Sequence, residues 1–362
     1  MKDSYLKSIT GCLLGTAVGD ALGLPYQKLS RNRIYQAHTP IKGHALILNK
    51  GMISNDTEHL CLTAQSLIVS AGDPIQFSHN LAWSLRWWVL GLPAGIGGAT
   101  LKSCMRLLLG FSPRNSGVNS AGNGAAMRST IIGVCYGNDP STMLALVKAS
   151  TTITHRNQKA ELGAIAVAVA AYVASIKFTV TPQNYYQTLK QFLSDPTAKL
   201  PDTETTAFLT AIDRACGSAE KNESGVSFAN SLGNYKGVSG YIYDTVCVTI
   251  QVWLRNQDSY SQAIKEVIYL GGDTDTTAAI LGGIMGASVG ASGIPHKWLK
   301  DIVEFPRSIN WITSLGERLA ESCSTGLSRP PLSVAYYFIP FRNLIFAIAI
   351  WFHAFYRLLP PY

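Results

Sequence analysis

The sequence predicts a globular protein whose main segments are buried helices. With 47% hydrophobic and 14% charged residues, the 362-residue chain has a core-forming composition that excludes a disordered protein. The segments from Tyr5 to Leu24 and from Gly271 to Gly290 both place apolar and small residues at helical spacing. Residues 160–175 show a third pattern of this kind, rich in Ala and Val. A chain of this length can form one large domain or two smaller ones.

Charge and cysteine content narrow the class of protein. The formal net charge is +8 without a dense Lys/Arg block, which permits a nucleic-acid partner but does not indicate one, and slightly favours anionic ligands. The seven cysteines are scattered without a CxxC pair and are typical of reduced core residues in a cytoplasmic protein. The N-terminal apolar segment is interrupted by Asp3, Lys7 and Asp20, so we expect no signal peptide.

The first predicted helix has an unusual glycine spacing. Four glycines at intervals of four residues leave one face of this helix without side chains: Gly11, Gly15, Gly19 and Gly23. We therefore expect another backbone to approach that face. Pro25 should end the helix and leave Tyr26 and Gln27 on a loop.

Two clusters of side-chain oxygens, each at the start of a predicted helix, are the main chemical signal. Residues 273–276 alternate Asp and Thr, and residues 54–58 read Ser-Asn-Asp-Thr-Glu. Such oxygens suit Mg²⁺, but they are also good helix N-caps, so one cluster alone leaves both interpretations open. Two clusters of matching chemistry favour a shared metal site, provided that the fold brings them together.

Gly-rich segments in the middle of the chain are candidates for an anion site. One precedes a helix that should start near Thr100, and another places Gly122, Asn123 and Gly124 ahead of a further helix. Backbone N–H groups at helix starts can bind a diphosphate, although Gly-rich turns are also common without a ligand. His155 precedes the predicted helix 160–175, and by itself it has the pattern of a structural or exposed histidine.

Five motifs occur in order between about Ile9 and Leu299: GCLLGTAVGDALGLPY, SNDTEH, GNGAAMRSTIIGV, THRNQKAELGAIAVA and GGDTDTTAAILGGIMGA. Together they resemble the ADP-ribosylglycohydrolase family, also called the dinitrogenase reductase-activating glycohydrolase family. The resemblance implies an all-α fold, a compact orthogonal multi-helix bundle with two Mg²⁺, or Mn²⁺ in some members, in a central cleft. It also implies hydrolysis of the bond between ADP-ribose C1″ and an acceptor, often an arginine of an ADP-ribosylated protein.

The resemblance assigns roles to particular residues of this chain. The implied metal ligands are Ser54, Asn55, Asp56, Asp273, Asp275 and Thr276. The implied catalytic residues are Asp56 and Asp275, with either Asp56 or an ion-bound water as the base. Glu58 is expected near the ions without direct contact. The implied ADP-ribose-binding residues are Gly122, Asn123, Gly124 and His155.

Two positions depart from the family pattern. The chain has Asn55 where the family usually has Asp, and Gln27 where it often has Glu. An amide can ligate Mg²⁺ through its carbonyl oxygen but brings no charge, and Gln cannot act as a base. These departures support an alternative reading, in which the protein binds ADP-ribose or a partner protein without turnover.

The remaining segments carry weaker signals. Residues 182–234 are polar, with helices predicted near 185–193 and 203–215. Tyr241 or Tyr243 could stack on adenine, and a core aromatic is an equally good interpretation.

The C-terminal residues 329–362 form a hydrophobic, aromatic tail after a predicted domain of residues 1–328. Its uncharged run from Asn343 to Tyr356 is shorter than the about 20 residues that a spanning helix needs, and we expect Pro340 and Arg342 to interrupt any longer membrane-spanning segment. An interfacial membrane anchor, a segment docked on the body and a partner-binding element are the alternatives. Aromatic richness and flanking Arg residues favour the first, which would attach a cytoplasmic protein to a membrane surface. Because all five motifs precede the tail, we expect it to be dispensable for chemistry.

Overall fold

The computed structural model describes residues 2–37, 40–177, 179–198 and 200–357. Within these ranges the protein is helical, with β-structure limited to isolated bridges, which confirms the predicted all-α class. The α-helices are α1 (Lys2–Gly23), α2 (Arg31–Ala37), α3 (Asn55–Ser70), α4 (Pro74–Leu90), α5 (Gly98–Leu108), α6 (Pro113–Ser116), α7 (Thr130–Tyr136), α8 (Pro140–Thr154), α9 (Gln158–Ile176), α10 (Pro182–Leu193), α11 (Asp202–Glu220), α12 (Gly225–Ser231), α13 (Ile242–Arg255), α14 (Tyr260–Tyr269), α15 (Thr274–Val289), α16 (His296–Lys300), α17 (Ile309–Thr325) and α18 (Ile339–Tyr356).

The glycine face of α1 packs directly on the backbone of α15. A Cβ atom added at Gly11 would lie 2.2 Å from the carbonyl oxygen of Gly286, and one added at Gly23 would lie 2.3 Å from that of Thr274. No side chain fits in this space, which confirms the predicted approach of a second backbone. The same pairs show that the two helices are antiparallel, so the C-terminus of α1 meets the N-terminus of α15.

Other chain segments meet at this end of the α1–α15 pair. A 3₁₀ turn, Leu24–Tyr26, continues α1 and buries Tyr26, which therefore does not lie on an open loop as predicted. Pro25 fits this turn because the first helical position needs no N–H group. A second 3₁₀ helix, Asn123–Arg128, occupies the place where the sequence predicted an α-helix, and α7 follows it.

The core is one large apolar cluster to which nearly every long helix contributes. α9 and α15 are buried almost throughout, as their Ala-, Gly- and Val-rich sequences predict. The seven cysteines are free, six of them buried and Cys323 half-buried, in agreement with their predicted place in the core.

The tail forms a long helix that docks on the body. α18 runs through Arg342 without a break, because Pro340 lies in its first turn, where proline is tolerated. The apolar helical segment is therefore longer than the uncharged run that the sequence analysis considered. Two helical segments among the described residues are long and apolar enough to cross a membrane: Gln158–Ile176, mostly buried in the core, and Tyr336–Phe355, only 28% buried. The domain boundary at residue 328 stays a prediction.

Candidate active site

The two predicted oxygen clusters meet where α3 and α15 begin. Asp56 lies in the first turn of α3 and Asp275 in the first turn of α15, close enough for the Asp56 charge to raise the pKa of Asp275. Asp56 and Asp275 are only 1% and 2% exposed, and one carboxylate oxygen of each has no hydrogen-bond partner. The fold thus joins clusters that lie more than two hundred residues apart in the sequence.

Burial and mutual repulsion favour the protonated form of these carboxyl groups. Desolvation raises the pKa of Asp56 well above its ordinary value, and the negative charges of Asp20 and Asp273 raise it further. The pKa of Asp275 is also raised well above its ordinary value, by burial first and then by Asp273, Asp56 and Asp20. A cation between the carboxylates would remove the repulsion that causes part of both shifts.

Asp20 is a member of this site that the sequence analysis did not assign to it. Its side chain is fully buried and accepts hydrogen bonds from the backbone N–H of Ser54 at 2.8 Å and from the N–H and hydroxyl of Thr57 at 3.2 and 2.5 Å. Burial raises the pKa of Asp20 to about 6, although these hydrogen bonds oppose the shift. One carboxylate inside an otherwise apolar helix pattern is the sequence signal that would have identified it.

Ser54 has the geometry of a helix cap. Its Oγ accepts the backbone N–H of Asp56 at 3.2 Å, and its hydroxyl donates to the Asp56 carboxylate at 3.0 Å. The cap interpretation therefore holds for this residue. Its hydroxyl also fixes the orientation of the carboxylate that the sequence singled out as catalytic.

The two departures from the family pattern both lie near the carboxylates. The Asn55 amide nitrogen contacts the Met127 sulfur at 4.0 Å, at the start of α3 beside Asp56. Gln27 follows the 3₁₀ turn after α1, and the next residue, Lys28, donates its N–H to the Gly272 carbonyl at 2.7 Å. Gly272 immediately precedes Asp273, so the loop that carries Gln27 is attached to the second cluster.

Asn123 joins the predicted substrate loop to the carboxylates. Its side-chain amide donates to Asp273 at 2.7 Å and to the Thr245 hydroxyl at 2.9 Å. Its backbone N–H donates to the Gly240 carbonyl, and the N–H of Gly122 donates to a serine hydroxyl. These two amides are therefore not available to a diphosphate, which leaves only the third predicted backbone donor, that of Gly124.

His155 lies directly behind this loop. A Cβ atom at Gly124 would lie 2.9 Å from His155 Cε1, and one at Gly122 would lie 3.4 Å from His155 Nε2, so glycine allows the imidazole to reach the loop. Burial and the nearby Arg128 lower the pKa of His155 to about 3, so the imidazole is neutral at physiological pH.

Arg128 is a second residue that the sequence analysis left unassigned. Its buried guanidinium donates to the Gly124 carbonyl at 2.8 Å and to the Thr154 hydroxyl at 2.6 Å, and that hydroxyl is 2.8 Å from His155 Nδ1. Arg128 thereby fixes the loop and the imidazole relative to each other. Its position in the quoted GNGAAMRS motif is the signal that would have found it.

Glu58, at the end of the first oxygen cluster, is part of a buried ion pair. Its two carboxylate oxygens accept from Trp88 Nε1 at 2.7 Å and from Arg307 at 3.0 Å, and Arg342 of α18 lies 3.6 Å away. Both oxygens therefore have protein partners, and the expectation that Glu58 lies near the ions without direct contact stays a prediction.

The donor set is suited to hard cations. In the described ranges, no group of three or more His, Cys, Asp and Glu side chains is arranged to hold an ion by itself. The predicted set also includes hydroxyl and amide oxygens, which Mg²⁺ accepts as ligands: Ser54, Asn55 and Thr276. Unpartnered carboxylate oxygens at near-complete burial are costly unless a cation or proton satisfies them, and two such atoms occur in this set, on Asp56 and Asp275.

Tyr241 and Tyr243 lie at the start of α13, with ring centroids 5.5 Å apart. The Lys159 ammonium is 5.9 and 5.6 Å from the two centroids. Tyr241 is 38% exposed. The adenine-stacking interpretation stays a prediction.

The protein is an all-helical bundle in which carboxylates from two helix starts lie beside a glycine loop. The sequence profile of the ADP-ribosylglycohydrolase family matches residues 1–327. The chain therefore belongs to that family, a family of glycosidic hydrolases.

Named relatives and a solved structure agree with this assignment. The chain is 23% identical over 303 residues to ADP-ribosyl-[dinitrogen reductase] glycohydrolase from Rhodospirillum rubrum, covering 81% of this chain and 89% of the relative. It is 26% identical over 325 residues to ADP-ribosylarginine hydrolase Tri1 from Serratia proteamaculans, covering 87% and 79%. A solved ADP-ribosylglycohydrolase-related protein complex has the same fold, with a TM-score of 0.65 and 23% identity over 89% of this chain and 99% of that one.

Proposed function

We propose that this protein is a Mg²⁺-dependent hydrolase that removes ADP-ribose from a modified protein side chain by cleaving the bond at ribose C1″. The observation that carries the proposal is the convergence of Asp56 and Asp275, each buried with an unpartnered oxygen, on the first turns of α3 and α15. The family assignment gives this arrangement its chemistry.

Six residues would hold the two ions: Ser54, Asn55, Asp56, Asp273, Asp275 and Thr276. When bound, Mg²⁺ supplies positive charge that orients the ribose hydroxyls and makes a water more acidic. Asp20 holds the first turn of α3 in place through Ser54 and Thr57, and so positions the Asp56 carboxylate.

Asp56 and Asp275 would be the catalytic side chains. Oδ1 of Asp56, which has no hydrogen-bond partner, would accept a proton from the attacking water, unless an ion-bound water supplies the base. C1″ gains oxocarbenium character as the acceptor leaves, and nearby carboxylates stabilise that positive charge.

The loop around Gly124 would hold the diphosphate. Thr154 accepts a hydrogen bond from Arg128, so its own hydroxyl can donate to Nδ1 of the neutral His155. In this tautomer the proton is on Nε2, towards Gly122 and Gly124, where it can donate to a phosphate oxygen together with the Gly124 amide. Glycine at both positions lets the imidazole approach the loop closely enough for this.

Arginine is the acceptor that we favour, because one similar protein is named an ADP-ribosylarginine hydrolase. The alternative is a family member that binds ADP-ribose or a partner protein without turnover. Two observations favour it: Asn55 lacks the charge of the usual carboxylate, and Gln27 lacks a base on the loop attached to Gly272.

The test is release of ADP-ribose from a panel of substrates modified on arginine, on serine and on nucleic-acid bases, with and without Mg²⁺. We expect Mg²⁺-dependent release from the arginine substrate and none from Asp275→Asn. ADP-ribose binding by calorimetry without release from any substrate would refute the hydrolase and support the alternative.

A further inference from the structure

α18 presents a second apolar face on the side opposite to its contacts with the body. The docked stripe includes Arg342, Asn343, Phe346 and Ala349, all buried. The outer stripe consists of large apolar side chains that are between 46% and 67% exposed: Phe341, Leu344, Ile348, Trp351, Phe352 and Phe355. A helix that is apolar on both faces needs an apolar environment on its outer side as well.

Exposed apolar side chains also occur on α4, next to the start of α18. A groove of about 560 Å³ separates the start of α18 from α4 and is lined by aromatic and aliphatic groups that include Trp83, Trp87, Leu90, Tyr336 and Ile339. Trp83, Trp87 and Leu90 are more than half exposed, as is Tyr336. We call the outer stripe of α18 and these four side chains the aromatic face. Contiguous exposed apolar surface of this size is uncommon unless it binds a partner or a membrane.

The two segments that supply the aromatic face contain no acidic residues. None of the 22 Asp and Glu residues lies within 74–138 or 322–362, the segments that contain α4, α5 and α18. The same segments contain basic residues outside the core: Arg86, Lys102, Arg106, Arg114 and Arg357, and also Arg329, which is paired with Glu321. The charged side chains that these segments supply are therefore all basic, which suits an anionic lipid headgroup layer.

We propose that the aromatic face attaches the protein to an anionic membrane surface, with α18 parallel to that surface. Trp, Tyr and Phe are enriched where proteins contact the membrane–water interface, and the cationic surroundings add attraction to anionic lipids. α18 does not cross the bilayer, because Arg342 would have to leave two buried carboxylates, Glu58 and Glu304. Attachment is a property beyond hydrolysis and stands independently of it.

The attachment would bring the catalytic cleft close to the membrane. The loop that follows α4 reaches the site, since a Cβ atom at Gly95 would lie 3.7 Å from Asn55 Oδ1. At its other end, α18 contacts the loop before Gln27 through His353 Nε2, which is 3.0 Å from the Pro25 carbonyl. Both helices that carry the aromatic face are thus joined to segments beside the carboxylates, so the acceptors would be membrane-bound or close to the membrane.

The test is co-sedimentation of the full-length protein with vesicles of phosphatidylcholine containing about one third phosphatidylserine, a composition chosen for its negative surface potential. We expect the wild type to pellet with these vesicles, to bind pure phosphatidylcholine more weakly, and to be released by salt. Trp351→Asp combined with Phe355→Asp should lower the partition coefficient about a hundredfold, because burial of each aromatic is lost. Tyr235→Asp is the matched control, since Tyr235 is 71% exposed outside the aromatic face, and should bind like the wild type.

Two further measurements make the outcome decisive. Circular dichroism and thermal unfolding must show that the double variant is folded; if it is not, Trp83→Asp with Trp87→Asp on α4 replaces it, with the same expected loss. Sedimentation velocity without vesicles tests for a second copy on this face. The proposal is overturned if the wild type stays in the supernatant, if the folded variant pellets like the wild type, or if the aromatic face instead supports a dimer that the variant abolishes.

Discussion

Replacing Arg342 by leucine should destabilise the protein strongly, although Arg342 lies in the tail and is far from the five motifs in the sequence. Its guanidinium, 2% exposed, donates to both carboxylate oxygens of Glu304 at 2.7 Å and to the Ile53 carbonyl at 2.6 Å. Glu304 in turn accepts the Ile53 N–H at 3.2 Å. This pair therefore holds both backbone groups of the residue that precedes Ser54, the cap of α3.

The expected magnitude follows from the burial of the pair. Removing one partner of a buried ion pair leaves an uncompensated charge and costs about 3–5 kcal/mol of unfolding free energy. Glu58 keeps its contact with Arg307, so the loss falls mainly on Glu304. Arg342→Leu combined with Glu304→Leu should recover most of the loss, because replacing a whole buried pair by apolar groups is often nearly neutral.

The same substitution should make stability more dependent on pH. Burial raises the pKa of Glu304 above its ordinary value even though the Arg342 charge lowers it, so loss of that charge raises the pKa further. A carboxyl group whose pKa is raised by folding stabilises the protein at acidic pH, and this contribution is lost as pH rises through the folded-state pKa. The deficit of Arg342→Leu should therefore be small near pH 4 and grow towards pH 8.

Urea unfolding followed by circular dichroism measures both effects, and Mg²⁺ titration of the folded variant tests the position of the α3 cap. We expect weaker Mg²⁺ binding, because Ile53 loses its anchors beside Ser54. A loss of less than about 1 kcal/mol, in the range of an exposed ion pair, together with unchanged Mg²⁺ affinity would refute this reasoning.

Three other predictions concern the site and the central helix pair. Asp275→Ala should abolish the Mg²⁺-dependent thermal stabilisation, about 2.7 kcal/mol at a hundredfold excess over Kd, while helicity is kept; an unchanged Mg²⁺ response would refute the shared site. Asn55→Asp should tighten Mg²⁺ binding and raise turnover, because a carboxylate adds negative charge at the ion, and enzyme kinetics of the variant will measure both. If only Gln27→Glu raises turnover, the low activity comes from the loop and not from the metal ligands. Gly19→Val should prevent folding, since its Cβ would lie 2.0 Å from a carbonyl oxygen of α15; Gly98→Ala, with nothing within 4 Å, is the control, and equal melting temperatures would contradict the packing.

The helices and the two oxygen clusters could be predicted because their signals are local or periodic, whereas the convergence of the clusters depends on the fold. A glycine at every fourth position of α1 indicates a close backbone whatever its partner is. Asp56 and Asp275 were found because oxygen-rich helix starts can be recognised within a few residues.

Residues whose role depends on distant partners could not be found in this way. Local signals could have drawn attention to Arg128 and Asp20, but not to their partners, which are a loop carbonyl in one case and the backbone of α3 in the other. The partners of the Glu58 carboxylate, Trp88 and Arg307, could likewise not be named from its neighbours in sequence. The local sequence cannot contain this information, because each partner comes from a separate element.

The contacts of the tail could not be predicted from the sequence either, and they affect how a truncated variant can be interpreted. From the sequence it is dispensable for chemistry, yet it reaches both segments on which the chain departs from the family pattern. Arg357 donates to the backbone carbonyl of Gln27 at 3.2 Å, and Arg342 holds Ile53, two residues before Asn55. Truncation after residue 328 would remove both contacts and leave Glu304 unpaired, so a loss of activity in such a variant would not show a catalytic role for the tail. The effects of the two departures therefore have to be measured in the full-length protein, where the tail keeps both segments in place.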